Sequence, residues 1–199
     1  MKLNAFNKQK GWIEVICGPM FAGKSEEMLR RINRFKYADI SYLIFKPKID
    51  TRSAHVTSRD GRNNKCIKIY TSSEIIDYLK EYETKNNTKI DAIAIDEAQF
   101  LDEELGQVCN KLANLGYVVY VAGLDLDFRG IPFPAMTNTL AYADHVTKLT
   151  AICTVCGGEA NRTQRLINGE PAKISDEIIQ IGDNESYEAR CRQHHQVKK

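Results

Sequence analysis

Three groups of residues in this chain have the types and spacing that chemistry requires. The first is Gly18-Pro19-Met20-Phe21-Ala22-Gly23-Lys24-Ser25, which reads G-x-x-x-x-G-K-S. Glycines let the backbone fold tightly round an anion, a lysine so placed reaches the β- and γ-phosphates, and a serine hydroxyl ligates Mg²⁺. The second is Asp96-Glu97, two carboxylates that close the apolar run Ile90-Asp91-Ala92-Ile93-Ala94-Ile95. In proteins with such a loop, an acidic residue at a strand end holds Mg²⁺, and Asp96 fits that post. Glu97 is then available to accept a proton from an attacking hydroxyl or water. Adjacent strand residues point to opposite faces, but the turn at the strand end lets both carboxylates reach one cleft. Either one alone reads equally as a solvated strand terminus.

The third group is Cys153-Thr154-Val155-Cys156 with Cys191-Arg192-Gln193-His194, 34 residues further on. C-x-x-C with C-x-x-H supplies three thiolates and an imidazole, a closed tetrahedral set suited to structural Zn²⁺. The spacing favours His194 over its neighbour His195 as fourth ligand. A redox C-x-x-C is the alternative, although it leaves Cys191 idle. Four protein ligands leave no open position, so such a metal holds structure and does no chemistry. Cys17, Cys66 and Cys109 lie outside any motif and read as small packing residues.

These groups need a scaffold, and the intervening sequence supplies one. Trp12 to Cys17 is an apolar, β-branched run ahead of the loop, as a parallel strand should be. From Glu26 to Tyr37, Met28, Leu29, Ile32 and Phe35 recur at helical spacing, with Arg30, Arg31 and Arg34 on a solvated face. Ser41 to Phe45 reads as a second strand stopped by Lys46-Pro47. The polar stretch Asp50 to Lys65 has no apolar face; it is either a plain loop or one that closes over a phosphate or sugar. Cys66 to Tyr70 alternates as a strand, and Thr71-Ser72-Ser73-Glu74 caps a helix through Tyr82. Asp102-Glu103-Glu104 places negative charge on the first turn of another helix, where the macrodipole favours it. Tyr117 to Gly123 is a further strand, followed by a loop carrying Phe128 and Phe133, either lid residues or wedges against a planar ring. Ligands bind at that carboxyl edge in open α/β sheets.

Strand and helix alternate, so right-handed βαβ units and a parallel sheet are expected. Between the two knuckles, Glu159 to Ile167 reads as strand, Asn168-Gly169 as a hairpin turn, and Ile178 to Gly182 as another strand or an extended arm. Zinc would pin both ends of this excursion, which suits a substrate lid.

The totals agree. A chain of 199 residues with 43% apolar and 27% charged residues holds one sizeable α/β domain and a small appendage. A net charge of +2 makes no case for nucleic acid as partner. The opening residues lack the apolar core of a signal peptide, and no run approaches the ~20 apolar residues of a membrane span. With six cysteines and no export signal, the expected setting is cytoplasmic, without a disulfide framework.

From about residue 11 to 195 the chain resembles the thymidine kinases of the cytosolic cellular and bacterial class, the zinc-containing type II family. The marks are the G-P-M-F-x-G-K-[ST] version of the loop, Asp96-Glu97-Ala98-Gln99-Phe100, Gly123-Leu124-Asp125 with Phe128 and Pro132-Phe133, and the zinc pair. The resemblance implies a P-loop, RecA-like parallel sheet flanked by helices, with a small zinc-binding lasso domain. The divisions would be a flexible N-terminus at 1–10, the nucleotide domain at 11–149, the lasso lid at 150–195 and a flexible tail at 196–199.

It further implies ATP as donor, the 5′-hydroxyl of thymidine (and deoxyuridine) as acceptor, Glu97 as base, Lys24 at the phosphates and Mg²⁺ on Ser25 and Asp96. Asp60 and Arg62 would serve the phosphates from the mobile loop. Phe128 and Phe133, with Gln99 and Phe100, would contact the nucleoside, whose 5-methyl group would sit near Met28, Leu124 and Thr163. Main-chain groups of Ile178, Ile179, Gln180, Ile181 and Gly182, with Tyr187, would hold the thymine. His194 stands where many relatives carry cysteine. Homotetramers and feedback by the end-product triphosphate (dTTP) are implied too. Two rivals start from the loop alone. A DNA-dependent ATPase gripping nucleic acid through zinc conflicts with an arm carrying Glu159, Glu170, Asp176, Glu177, Asp183, Glu185 and Glu188. A guanine-nucleotide switch lacks its N-K-x-D motif.

Overall fold

The computed structural model describes residues 11–49, 55–57, 63–178 and 185–199. In chain order the first part comprises β1 (Trp12–Cys17), α1 (Lys24–Tyr37), β2 (Tyr42–Pro47), β3 (His55–Thr57), β4 (Asn63–Lys65), β5 (Ile67–Ile69) and α2 (Glu74–Asn86). Next come β6 (Ala92–Ile95), α3 (Leu105–Asn114), β7 (Val118–Gly123), α4 (Pro134–Tyr142) and β8 (His145–Lys148). Six strands make one parallel sheet in the order β5-β2-β6-β7-β1-β8. The expected α/β architecture is therefore present, with β7 inserted between β1 and β6.

Alternation along these strands feeds two cores. Ile16, Ala94 and Tyr120 face α1 and pack with Met28, Leu29, Ile32 and Phe35. Val15, Ile93 and Val119 face the other way, onto Ile75 and Leu79 of α2 and Leu105, Cys109 and Leu112 of α3. Central strands buried on both faces explain why their sequence reads as continuous apolar runs. Cys17, Cys66 and Cys109 are buried and unbridged, and burial pushes the thiols of Cys17 and Cys109 up to about 11 and about 12.

Several local expectations are corrected. Lys46-Pro47 does not stop β2: the strand runs through both, paired with Lys68 and Ile69 of β5. Part of the polar stretch forms an antiparallel ribbon, β3 with β4. The capping expected from Thr71 to Glu74 is kept: Ser73 makes no side-chain capping bond, but the Glu74 carboxylate accepts from the Thr71 N–H at 3.0 Å, the reciprocal bond of the T-x-x-E pattern. Ser72 is buried against Asp102, donating its N–H and hydroxyl at 2.6 Å each. Asp102, Glu103 and Glu104 precede α3 instead of occupying its first turn, because Asp102 is committed to that inter-loop contact.

The remainder comprises β9 (Ala151–Ile152), β10 (Glu159–Ala160), β11 (Arg162–Ile167), β12 (Glu170–Pro171) and β13 (Glu185–Arg190). The run expected as one strand breaks at Asn161, since β10 pairs with β9 whereas β11 lies between β12 and β13. Asn168 and Gly169 have φ of 51° and 81°, the two positive values that a tight hairpin turn demands. Residues 196–199, expected to be a loose tail, are stitched to this sheet: Lys198 donates its N–H to Ala172 O at 2.9 Å and accepts from Ile174 N at 2.7 Å. Gln196 exchanges two bonds of 2.8 Å with the buried side chain of Gln164. Among the described residues, no helix is long and apolar enough to cross a membrane.

Candidate active site

The phosphate-type loop leaves β1 and enters α1. Gly18, at φ 141°, has no room for a side chain, because a Cβ there would lie 2.4 Å from Leu149 O. Gly23 takes a left-handed conformation immediately before α1 and brings no side chain to cap it. The first-turn N–H groups therefore remain directed at the loop, as anion binding requires. Lys24 Nζ donates to Pro19 O at 2.7 Å. Burial lowers the pKa of its ammonium, while Glu97, Asp96 and Asp125 act in the opposite sense. The lysine thus lies amid three carboxylates drawn from the ends of β6 and β7. Pro19, Met20, Phe21 and Ala22 complete the loop, and the Met20 N–H is bonded to Thr163 Oγ1 of β11 at 3.0 Å.

Ser25 Oγ donates to Asp96 Oδ1 at 2.9 Å, so loop and strand end meet as the two motifs anticipate. Asp96 is only 3% exposed; burial and the neighbouring Glu97 push its carboxyl up to about 6, against the pull of Lys46 and Ser25. Lys46 Nζ lies 3.8 Å from Asp96 Oδ2. Glu97 follows in a left-handed conformation, φ 51° and ψ 37°, which is uncommon for a residue with a side chain. That twist breaks the up–down alternation of the strand. It also opens the short 3₁₀ turn Ala98–Phe100. The Glu97 Oε2 accepts from Gln99 Nε2 at 2.7 Å, and Gln99 Oε1 accepts from the Leu124 N–H at 3.0 Å.

The other expected contacts divide. Phe128 is 4% exposed, with the guanidinium of Arg165 5.2 Å from its ring centre. Phe133 is buried and meets Phe100 edge-on at 6.4 Å between ring centres. Met28 is fully buried beneath α1, Thr163 is buried beside Met20, and Leu124 is half-buried at the end of β7. Tyr187 lies on β13 opposite Arg165, and Ile178 is exposed. Asp60, Arg62, Ile179, Gln180, Ile181 and Gly182 lie outside the described residues.

Cys153, Cys156, Cys191 and His194 offer four ligand atoms all within 4.8 Å of one another. Cys156 Sγ and Cys191 Sγ are 3.9 Å apart, against about 3.8 Å for a tetrahedron with 2.3 Å Zn–S bonds. Burial raises the Cys153 thiol, but the N–H groups of Cys191, Cys156 and Val155 outweigh it and hold the thiol near about 5, which favours the thiolate. The donor set fits zinc, and His195 stands apart from it: its Nε2 lies 2.7 Å from Phe128 O.

Four residues at or beside the site, Lys46, Asp125, Arg165 and His195, were not given these roles by sequence reasoning. Lys46 hid as a strand-terminating lysine. Asp125 is buried and ion-paired to Lys148 at 2.7 Å. Arg165 is fully buried and donates to Glu177 O, and His195 anchors the Phe128 loop. An arginine within an otherwise strand-like run was the one available signal.

A sequence profile described as thymidine kinase matches residues 11–195. The chain belongs to the thymidine kinase family. Proteins called thymidine kinase from two strains of Ureaplasma parvum serovar 3 and from Ureaplasma urealyticum serovar 10 are each 48% identical over 197 residues. Those matches cover 98% of this chain and 87% of theirs. The flagellar accessory protein FlaH of Methanocaldococcus jannaschii is similar at 16% identity and a TM-score of 0.47, over 81% of this chain and 83% of its own, too distant to carry an argument. As a thymidine kinase family member the protein is an ATP-dependent kinase, a transferase.

Proposed function

We propose that this protein transfers the γ-phosphate of ATP to the 5′-hydroxyl of thymidine, and of deoxyuridine, in pyrimidine deoxynucleoside salvage. The observation that carries the reading is the meeting of two strand ends. The loop after β1 leads into Lys24 and Ser25 at the start of α1, the end of β6 leads into Asp96 and Glu97, and the Ser25–Asp96 hydrogen bond locks them together. Backbone N–H groups of Phe21 to Ser25 and the Lys24 ammonium bind the phosphates. Ser25 and Asp96 offer the hard oxygen ligands that Mg²⁺ prefers, and a bound Mg²⁺ would neutralise charge on the transferring phosphoryl group. Glu97 orients the 5′-hydroxyl and takes its proton, a contribution worth about 10²–10⁴-fold.

Zinc on Cys153, Cys156, Cys191 and His194 fastens both ends of a lid that covers the base. The Phe128 and Phe133 loop forms the opposite wall, with Met28, Leu124 and Thr163 at the 5-methyl group. Asp60 and Arg62, which lie outside the described residues, are assigned to the phosphates on the family resemblance alone. The domain divisions at 11–149 and 150–195 follow the change from the parallel sheet to the small antiparallel ones. A cytoplasmic homotetramer under dTTP feedback, without nucleic-acid or membrane partners, is the family's pattern and is carried over on that ground alone.

The test is a coupled ADP-release assay of ATP and Mg²⁺ with each nucleoside in turn. Turnover with thymidine and deoxyuridine, and little with cytosine or purine nucleosides, is expected. ATP hydrolysis stimulated by DNA and indifferent to nucleosides would overturn the reading.

A further inference from the structure

We propose that Gln99 is a positioning residue that aims the Glu97 carboxylate at the acceptor hydroxyl, instead of a contact to the nucleoside. This inference rests on Glu97 being the base. Three observations carry it. The Gln99 side chain is buried, 4% exposed, and both ends of its amide are engaged by protein. The backbone N–H of Leu124 can only donate, so the amide oxygen must face it. The amide NH₂ is thereby forced toward Glu97 Oε2, at 2.7 Å. One end of β7 thus dictates the direction of a donor aimed at the end of β6.

The third observation is Gly123, the last residue of β7. A Cβ there would lie 3.0 Å from Gln99 Oε1, 3.2 Å from Gln99 N and 2.7 Å from Met136 Sδ. A missing side chain at this position lets Gln99 reach the β7 backbone. Glu97 itself sits in a left-handed turn, and the Gln99 amide is a restraint on the orientation of its carboxylate. Pinning Oε2 fixes the carboxylate plane and hence the direction of Oε1. The charged groups around this pair are Lys24 from α1, Asp96 from β6 with Lys46 of β2 behind it, and Asp125 from the loop after β7. Among these, Gln99 is the neutral donor, able to orient Glu97 without neutralising it.

The variant that isolates this role is Gln99→Glu. It keeps an oxygen to accept from Leu124 and replaces the donor by a second carboxylate. Gln99→Met, which removes both bonds, accompanies it, and both are assayed at pH 8 with saturating ATP and Mg²⁺. A misplaced base costs on the order of 10²-fold, so kcat should fall roughly 10–100-fold while the thymidine KM stays within about threefold. The same substitutions are then made in a Glu97→Gln background, where a residue acting through Glu97 has nothing left to lose and should change kcat by less than about twofold. A raised thymidine KM with kcat retained would make Gln99 a substrate contact, and equal losses in both backgrounds would make it merely structural; either result overturns the inference. If Gln99→Met does not fold, Gln99→Glu alone decides. If Glu97→Gln by itself leaves turnover intact, the reading of Glu97 fails first, and that failure is distinct from wild-type kinetics in the Gln99 variants.

Discussion

The Met20 N–H donates to Thr163 Oγ1 at 3.0 Å, joining the phosphate loop to the middle strand of the C-terminal sheet. The two residues are 143 positions apart, and under the proposed function each serves a different substrate. On that reading, the bond would couple the lid to the shape of the anion cradle.

Replacing Thr163 with Val keeps its shape and deletes the acceptor. A typical buried hydrogen bond contributes about 0.5–1.5 kcal/mol, so kcat/KM should fall by up to about tenfold for both ATP and thymidine. Thr163→Ser retains the hydroxyl and should retain most of the activity. Steady-state kinetics with each substrate varied in turn gives the comparison; an effect confined to thymidine would mean that the bond does not couple the two sides.

Zinc content separates the adjacent histidines. His194 Nδ1 lies 3.1 Å from Cys191 Sγ, whereas His195 is occupied by the carbonyl of Phe128. Elemental analysis should find one zinc per chain in the wild type and in His195→Gln, and little in His194→Ala. Stripping zinc with a chelator should lower the melting temperature and raise the thymidine KM, with a smaller effect on ATP. Full zinc retention in His194→Ala would contradict the ligand assignment.

Asp96 makes the metal requirement sensitive to pH. Burial and Glu97 raise its carboxyl to about 6, so it holds a proton below that pH and must lose it to ligate a cation. The apparent Mg²⁺ affinity should weaken by up to about tenfold per unit as pH falls below 6, and be steady above 7. For the metal-free fold the sign is opposite. A carboxyl raised above its unfolded value of 3.8 stabilises fully below that value, and the contribution is lost as pH rises through about 6. Magnesium titrations of kcat/KM between pH 5 and 8 measure the first effect, and a flat profile would refute it.

Legibility in the sequence followed the range of the interactions. The loop, the strand ends and the zinc knuckles were readable because each is a local pattern in which a few neighbouring residues set the geometry. Glu97 was readable as a candidate, but its left-handed turn and the grip of Gln99 were not, since that grip runs through the backbone of Leu124, just past the end of β7. β13 escaped notice because Glu185-Ser186-Tyr187-Glu188-Ala189-Arg190 is charged and weakly alternating; pairing with β11 along six residues makes it a strand. β8 is short and largely exposed at a sheet edge, so it lacks the apolar run that marked its partners. Residues 196–199 look like any polar terminus until Gln164 and Ala172 are seen to hold them.

The most direct measurement is Glu97→Gln, assayed for turnover and, by calorimetry, for thymidine binding. The account predicts a kcat lower by about 10²–10⁴-fold, with thymidine affinity within a few-fold of the wild type. Near-normal turnover, with or without a loss of thymidine binding, would contradict it.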